Sequence, residues 1–208
     1  MKYGLLLDLN VLVRRLENID KIFPFFDFLE SNPFIATTTK KSVQTLKNFV
    51  KKERIGIEYR RAMEELKRLP SYLAIRDFSF SQIKDYLPRV KELYGSFLKE
   101  GGLSFRVSPR FRRVMISLYP GREKLFYWSP ESEDRVLLAI ALYMKEEENN
   151  NPMFLASYDE HFIGEGISKR IEREFGVVCA IPEDLLPRLK ILNKLRDCGN
   201  YSDYYSSY

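Results

Sequence analysis

A chain of 208 residues with 45% hydrophobic content is long enough for one sizeable core, or for a compact domain carrying a large insertion. No apolar run reaches the ~20 residues needed to cross a bilayer, and Lys2 is not followed by a secretory-type apolar region with a cleavage site, so a cytoplasmic protein with no membrane partner is expected. Two cysteines, Cys179 and Cys198, and the single histidine, His161, exclude a disulfide framework, a cysteine-based zinc site and most histidine-dependent catalysis, which leaves any chemistry to carboxylates.

The opening stretch KYGLLLDLNVLV reads as a fully buried parallel strand that ends on Asp8, with Asn10 two positions on. Ligands of open α/β sheets bind at the carboxyl ends of strands, so Asp8 and Asn10 are the first candidates for chemistry. VLVRRLENIDKIFPFFDFLES carries apolar residues at helical spacing, with Pro24 as a kink or break. NPFIATTT reads as a short β-branched strand, and KKSVQTLKNFVKK as an amphipathic helix with Val43, Leu46, Phe49 and Val50 inward. Alternating strand and helix predicts an α/β fold with a parallel sheet.

Between about residues 53 and 128 that rhythm breaks. GIEYRRAMEELKRLP, FSFSQIKDYLPRVKELYGSFLKE and SPRFRRVMISLYP are helix-like, no strand is read between them, and a helical insertion is expected. The net charge of +5 collects here: Arg106, Arg110, Arg112 and Arg113 are interleaved with Phe105, Phe111 and Tyr119. Arginines with aromatics between them suit phosphate contact and base stacking on single-stranded RNA. The same pattern also describes an amphipathic helix with an aromatic inner face and solvated arginines, and both readings stand.

SPESEDRVLLAIALYMKEEE restores the rhythm as a helix capped by Ser129 or Ser132, with Pro130 early and acids in its first turn. PMFLAS is a strand ending just before Tyr158 and Asp159, and GVVCAI is another that buries Cys179. A domain over 1–181 is expected, followed by a terminal helix over 182–197 and a frayed Tyr-rich tail over 198–208. His161, between Glu160 and Phe162, reads as an exposed or helix-capping residue rather than a metal ligand.

Asp8 ends a strand, Asp134 opens a helix and Asp159 follows a strand, positions that a parallel sheet places on one edge. Like charges gathered there resist ionisation unless a cation lies between them. A ligand set of oxygens favours Mg²⁺ or Mn²⁺. Plainer readings exist: Asp134 as a partner of the helix dipole, worth ~0.5–1 kcal/mol, and Asp159 as a turn residue. Asp8, directly after a buried apolar run, needs partners or a cation in any case.

LLLDLNVLV, EDRVLLAIALYM and MFLASYDEHFI resemble the three best-marked motifs of the PIN domain, the nuclease fold of VapC-type toxins and several RNA-processing enzymes. The likeness covers residues 1 to about 50 and 128 to about 181. Asp8 and Asn10 match its D-x-N; Asp134 matches the acid that opens a later helix, with Ala139 and Ala141 as small packing residues. Ser157 and Asp159 match its T/S-x-D, with Phe162 in the aromatic position.

The resemblance implies a Rossmann-like three-layer core and a Mg²⁺- or Mn²⁺-dependent ribonuclease. Asp8 and Asp159 would hold the ion, Asp134 would hold it or orient the attacking water, and Asn10 and Ser157 would orient Asp8 and its loop. The family also places a glutamate on the helix after the second strand. Here that segment has no acid, and Ser42 or Gln44 takes the position, Gln44 fitting the apolar pattern better. An amide brings no charge, so metal affinity should fall unless Glu131, Glu133 or Glu160 compensates.

Two alternatives follow. One is a degenerate, non-catalytic PIN-like module that binds RNA or a protein partner through its basic helical insertion; separately, the resemblance implies that the apolar helical surface could serve a homodimer. The other is a haloacid-dehalogenase-like phosphatase, which needs D-x-D where this chain has Asn10.

Overall fold

The computed structural model of the chain describes residues 2–17, 19–52, 59–99, 132–164 and 166–198. Its centre is β1 (Lys2–Leu7), and β2 (Ala36–Thr39), β3 (Leu73–Arg76), β4 (Asn150–Ala156) and β5 (Val177–Ala180) complete a five-stranded sheet. The strand order is β3-β2-β1-β4-β5 and every pairing is parallel.

A sheet with all strands parallel must be covered on both faces, and the apolar run of β1 shows how. Leu5 and Leu7 point to one side with Ala36, Phe154 and Ala156, and Leu6 points to the other with Met153, Leu155 and Val177; Leu5, Leu6 and Leu7 have no exposed surface. The first face is covered by α1 (Leu9–Leu16), α2 (Phe23–Ser31), α3 (Lys40–Lys51), α4 (Tyr59–Arg68) and α10 (Pro182–Cys198), through Val11, Phe25, Leu46, Leu66 and Leu189. The second is covered by α6 (Tyr86–Lys99), α7 (Ser132–Glu146) and α9 (Ile167–Phe175), through Val90, Leu138 and Ile171. Each such leucine or isoleucine contributes about 1.5–3 kcal/mol by burial. The three-layer α/β expectation holds.

Two shorter helices, α5 (Phe80–Ile83) and α8 (Glu160–Ile163), complete the described elements together with 3₁₀ turns at Asp20–Ile22 and Leu69–Ser71. Pro24 lies in the first turn of α2, so the expected break falls at a helix start, where its missing N–H costs nothing.

The stretch read as purely helical contains a strand. β3 pairs in parallel with β2 from Ala36↔Leu73 to Thr39↔Arg76. It escapes a pattern reading because it is four residues long, lies at the sheet edge and buries only Leu73. Residues 59–99 thus supply a strand and core helices, with α4 in the β2-to-β3 crossover and α6 packed on α7. Arg106, Arg110, Arg112 and Arg113 lie outside the described residues, as do most of the tail and the N-terminal capping candidates Ser129 and Pro130. The terminal helix belongs to the core, burying Leu185, Leu189 and Leu192. Among the described residues no helix is long and apolar enough to cross a membrane.

From β1 the chain moves outward through β2 to β3, then returns to the other side of β1 for β4 and β5. The order reverses between β1 and β4, and that reversal opens a crevice beyond their carboxyl ends. Asp8 follows one of these strands and Ser157 the other.

Candidate metal centre

Asp8 extends the pairing of β1 with β4 by one residue, its backbone N–H donating to the Ala156 carbonyl at 3.0 Å. It then caps α1. Its Oδ1 accepts from the Leu9 N–H at 2.6 Å, and its Oδ2 accepts from Asn10 Nδ2 at 2.8 Å and Ser157 Oγ at 2.7 Å. Asn10 reaches across the crevice: its Oδ1 accepts from the Tyr158 N–H at 3.1 Å and its Nδ2 also donates to Ser157 Oγ at 3.1 Å. The fully buried Ser157 hydroxyl accepts in turn from the Asp159 N–H at 2.9 Å. Asn10 and Ser157 therefore hold the Asp8 carboxylate and tie the two loops together.

Asp159 caps α8, accepting the His161 N–H on Oδ1 at 2.8 Å. Asp134 lies in the first turn of α7. Asp8, Asn10, Asp134 and Asp159 all line one cavity of about 430 Å³. Its far wall is the start of α3, contributing Thr39, Lys40, Lys41, Ser42 and Thr45, with Arg76 and Asp77 from the end of β3. Three acids widely separated in sequence thus line one cavity at the sheet edge, but the ligand atoms that come within 4.8 Å of one another are those of Asp134, Asp159 and His161, and Asp8 is outside that group.

Gln44 does not join them. It is exposed and its Nε2 donates to Asn48 Oδ1 at 3.3 Å, whereas Ser42, the other register, lines the cavity. The Thr39 cap decides the register: its Oγ1 accepts the Ser42 N–H at 2.9 Å and turns Ser42 toward the crevice, while Val43, Leu46 and Val50 face the core. Of the three acids expected to compensate, Glu133 lines the cavity but is held by Lys41 at 2.8 Å, Glu160 is exposed, and Glu131 lies outside the described residues.

His161 is the residue that pattern reading misses. Its Nδ1 lies 2.7 Å from Asp159 Oδ1 and 3.1 Å from Asp134 Oδ2, with 16% of the side chain exposed. Two contacts fix α8 in this pose: Phe162 is fully buried on the opposite side, and the Tyr94 hydroxyl donates to the His161 carbonyl at 2.9 Å.

The charges are strained in one place and balanced in another. Burial pushes the Asp8 carboxyl up to about 6, and the carboxylates of Asp159 and Asp134 add to the rise; the Ser157 hydroxyl and the Leu9 N–H oppose it. Burial acts against the charged form of Asp159 too, yet the His161 side chain and N–H hold it below the ordinary carboxylate value. Burial opposes protonation of His161, but Asp134 and Asp159 outweigh it and push the imidazole up to about 9. Cys179 is buried in β5 as expected, and that burial raises its thiol well above the ordinary value, which disfavours the reactive thiolate.

A divalent cation suits these donors. Ligand atoms of Asp134, Asp159 and His161 lie within 4.8 Å of one another, and the costly charge on Asp8 faces the same cavity. Carboxylates with one imidazole suit a small hard or borderline ion.

Comparison of the chain with protein-family models and with curated proteins found no match. The motif likeness to PIN domains therefore stands on the residues alone.

Proposed function

We propose that the chain is a PIN-like, metal-dependent ribonuclease that hydrolyses phosphodiester bonds in the cavity of Asp8, Asp134 and Asp159. The observation that supports it is the convergence of these carboxylates, with Asp8 held by Asn10 and Ser157 on the opposite lip of the crevice. Buried carboxylates placed together without charge compensation would cost several kcal/mol, and a nucleic acid is the kind of substrate whose own charge demands a cation at the site.

The chain's residues divide the work. Asp8 and Asp159 would hold the ion, and Asp134, at the mouth of α7, would hold it or orient the attacking water. Lys40 and Lys41 are exposed and pair with Asp77 at 3.6 Å and Glu133 at 2.8 Å, weak surface contacts that a phosphate can replace. Arg76 borders the same cavity. A bound Mg²⁺ or Mn²⁺ would supply stabilisation of the charge developing on the phosphoryl oxygens. No covalent nucleophile is required.

A second reading has its own support. His161 lies against two of the three carboxylates, so part of the charge is already balanced, and the described part of α3 brings no acid to the cavity. A non-catalytic module binding RNA or a protein partner is compatible with that balance. The experiment is end-labelled single-stranded RNA incubated with Mn²⁺, Mg²⁺ or EDTA. Cleavage that requires the ion and disappears in Asp8→Asn is the expected result. Undiminished RNA binding with no cleavage under any metal would leave the second reading in place.

A further inference from the structure

We infer that His161 is itself a metal ligand, through Nδ1, and that it makes the site prefer first-row transition ions over Mg²⁺. The inference rests on the proposal that the cavity holds a divalent ion, and goes beyond it by naming a nitrogen donor and the selectivity it brings.

The backbone around His161 is fixed on three sides. Its N–H is bonded to the Asp159 cap, its carbonyl accepts from Tyr94, and the neighbouring Phe162 is buried in the core. Only the imidazole is left to face Asp134 and Asp159.

The three donor atoms lie within 4.8 Å of one another, close enough to share one ion. Neighbouring ligands of an octahedral ion with bonds of about 2.1 Å lie about 3.0 Å apart. Nδ1 lies 2.7 Å from Asp159 Oδ1 and 3.1 Å from Asp134 Oδ2, close to this edge and also the length of the ion pairs a protonated imidazole makes with two carboxylates, so an ion would take that proton's place.

Selectivity follows from ligand chemistry. Mg²⁺ takes oxygen ligands and gives up its waters reluctantly, and Mn²⁺ shares the oxygen preference, whereas imidazole suits Fe²⁺, Ni²⁺ and Zn²⁺. The cavity that Asp134 and Asp159 line takes Ser42 and Thr45 hydroxyls and Lys41 from α3, which brings no carboxylate to it, while Asp77 and Glu133 line its rim.

The chain contains one histidine, which makes the test direct. Tag-free full-length protein is loaded with one equivalent of Mn²⁺ and measured by pulsed electron paramagnetic resonance for modulation from a coordinated imidazole ¹⁴N. The expected result is such modulation from the wild-type chain, its loss in His161→Gln, and a ratio of Ni²⁺ to Mg²⁺ affinity that falls at least about tenfold in His161→Gln. Bound Mn²⁺ without imidazole coupling, or no bound Mn²⁺, overturns the inference. Coupling without RNA cleavage would keep the ligand and remove the nuclease; cleavage with a nitrogen-free Mn²⁺ signal would do the reverse.

Discussion

Ser157 Oγ donates to Asp8 Oδ2 at 2.7 Å across 149 positions of sequence. The bond exists because Leu7 and Ala156 are register partners in β1 and β4, so the residues that follow them emerge side by side over the crevice. A buried hydroxyl in that place answers three groups at once: the Asp8 carboxylate, the Asn10 amide and the Asp159 N–H.

Ser157→Ala leaves all three without that partner in a site with no exposed surface at residue 157. The expected loss is about 1–3 kcal/mol of stability and at least about tenfold in metal affinity, because Asp8 is no longer held in one orientation. Urea denaturation and calorimetric Mn²⁺ titration measure the two. Unchanged affinity would mean that Asp8 does not contribute to the ion's site.

Asp8→Asn should stabilise the metal-free protein at pH 8. The folded carboxyl titrates near 6 instead of its ordinary 3.8, so the folded state binds the proton more tightly than the unfolded one. Stability therefore falls as pH rises from about 4 through 6, by roughly 3 kcal/mol. The asparagine escapes that loss and still caps the Leu9 N–H, but its Nδ2 cannot accept from Asn10 Nδ2 and Ser157 Oγ as Oδ2 does, which offsets about 1 kcal/mol. A higher midpoint of unfolding at pH 8, with the advantage gone at pH 4, is the expected pattern. Destabilisation at both pH values would show that the Asp8 charge is not strained.

The parts legible in the sequence are those where a buried apolar run ends on a polar residue. Asp8, Ser157 and Asp159 are of this kind, and Asp134 is marked by the acidic first turn of α7. Pattern fails where an element is too short to have a period. β3 buries one side chain of its four residues, and α8 has four residues in all. His161 nevertheless carried a local signal: it sits two positions after a capping aspartate, and the cap that binds its N–H brings its side chain to the same carboxylate. Gln44 failed for a related reason. Hydrophobic spacing orients α3 toward the core, but the Thr39 cap sets which residue of the first turn faces the crevice.

Without metal, stability should also decline between about pH 6.5 and 9. The His161 imidazole titrates near 9 in the folded chain and at 6.5 ordinarily. Its contribution is fully present below 6.5 and is lost as pH rises through 9, on the order of 3 kcal/mol in all. Thermal unfolding in EDTA from pH 6 to 9.5 would show the decline in the wild type and a flatter profile in His161→Gln. Mn²⁺ at 100 times its dissociation constant should add about 2.7 kcal/mol, most visibly at the alkaline end where the proton no longer competes. Equal slopes in wild type and variant would remove His161 from the charge balance.

Lys40 and Lys41 open α3 at the rim of the cavity, exposed and paired only with Asp77 and Glu133 in the surface contacts described. Replacing both with glutamate should leave the unfolding midpoint within the range of surface substitutions, about 0.5 kcal/mol either way. RNA is expected to respond differently. If the polyanion runs along this rim, affinity falls and the salt dependence of binding weakens, because each lost phosphate contact removes about 0.7 from the slope for a single strand. Fluorescence anisotropy with labelled RNA over a series of salt concentrations measures both quantities. A double variant that keeps the wild-type slope would place the RNA elsewhere on the molecule, and would leave the cavity without the electrostatic rim that a nuclease needs to hold its substrate against three carboxylates.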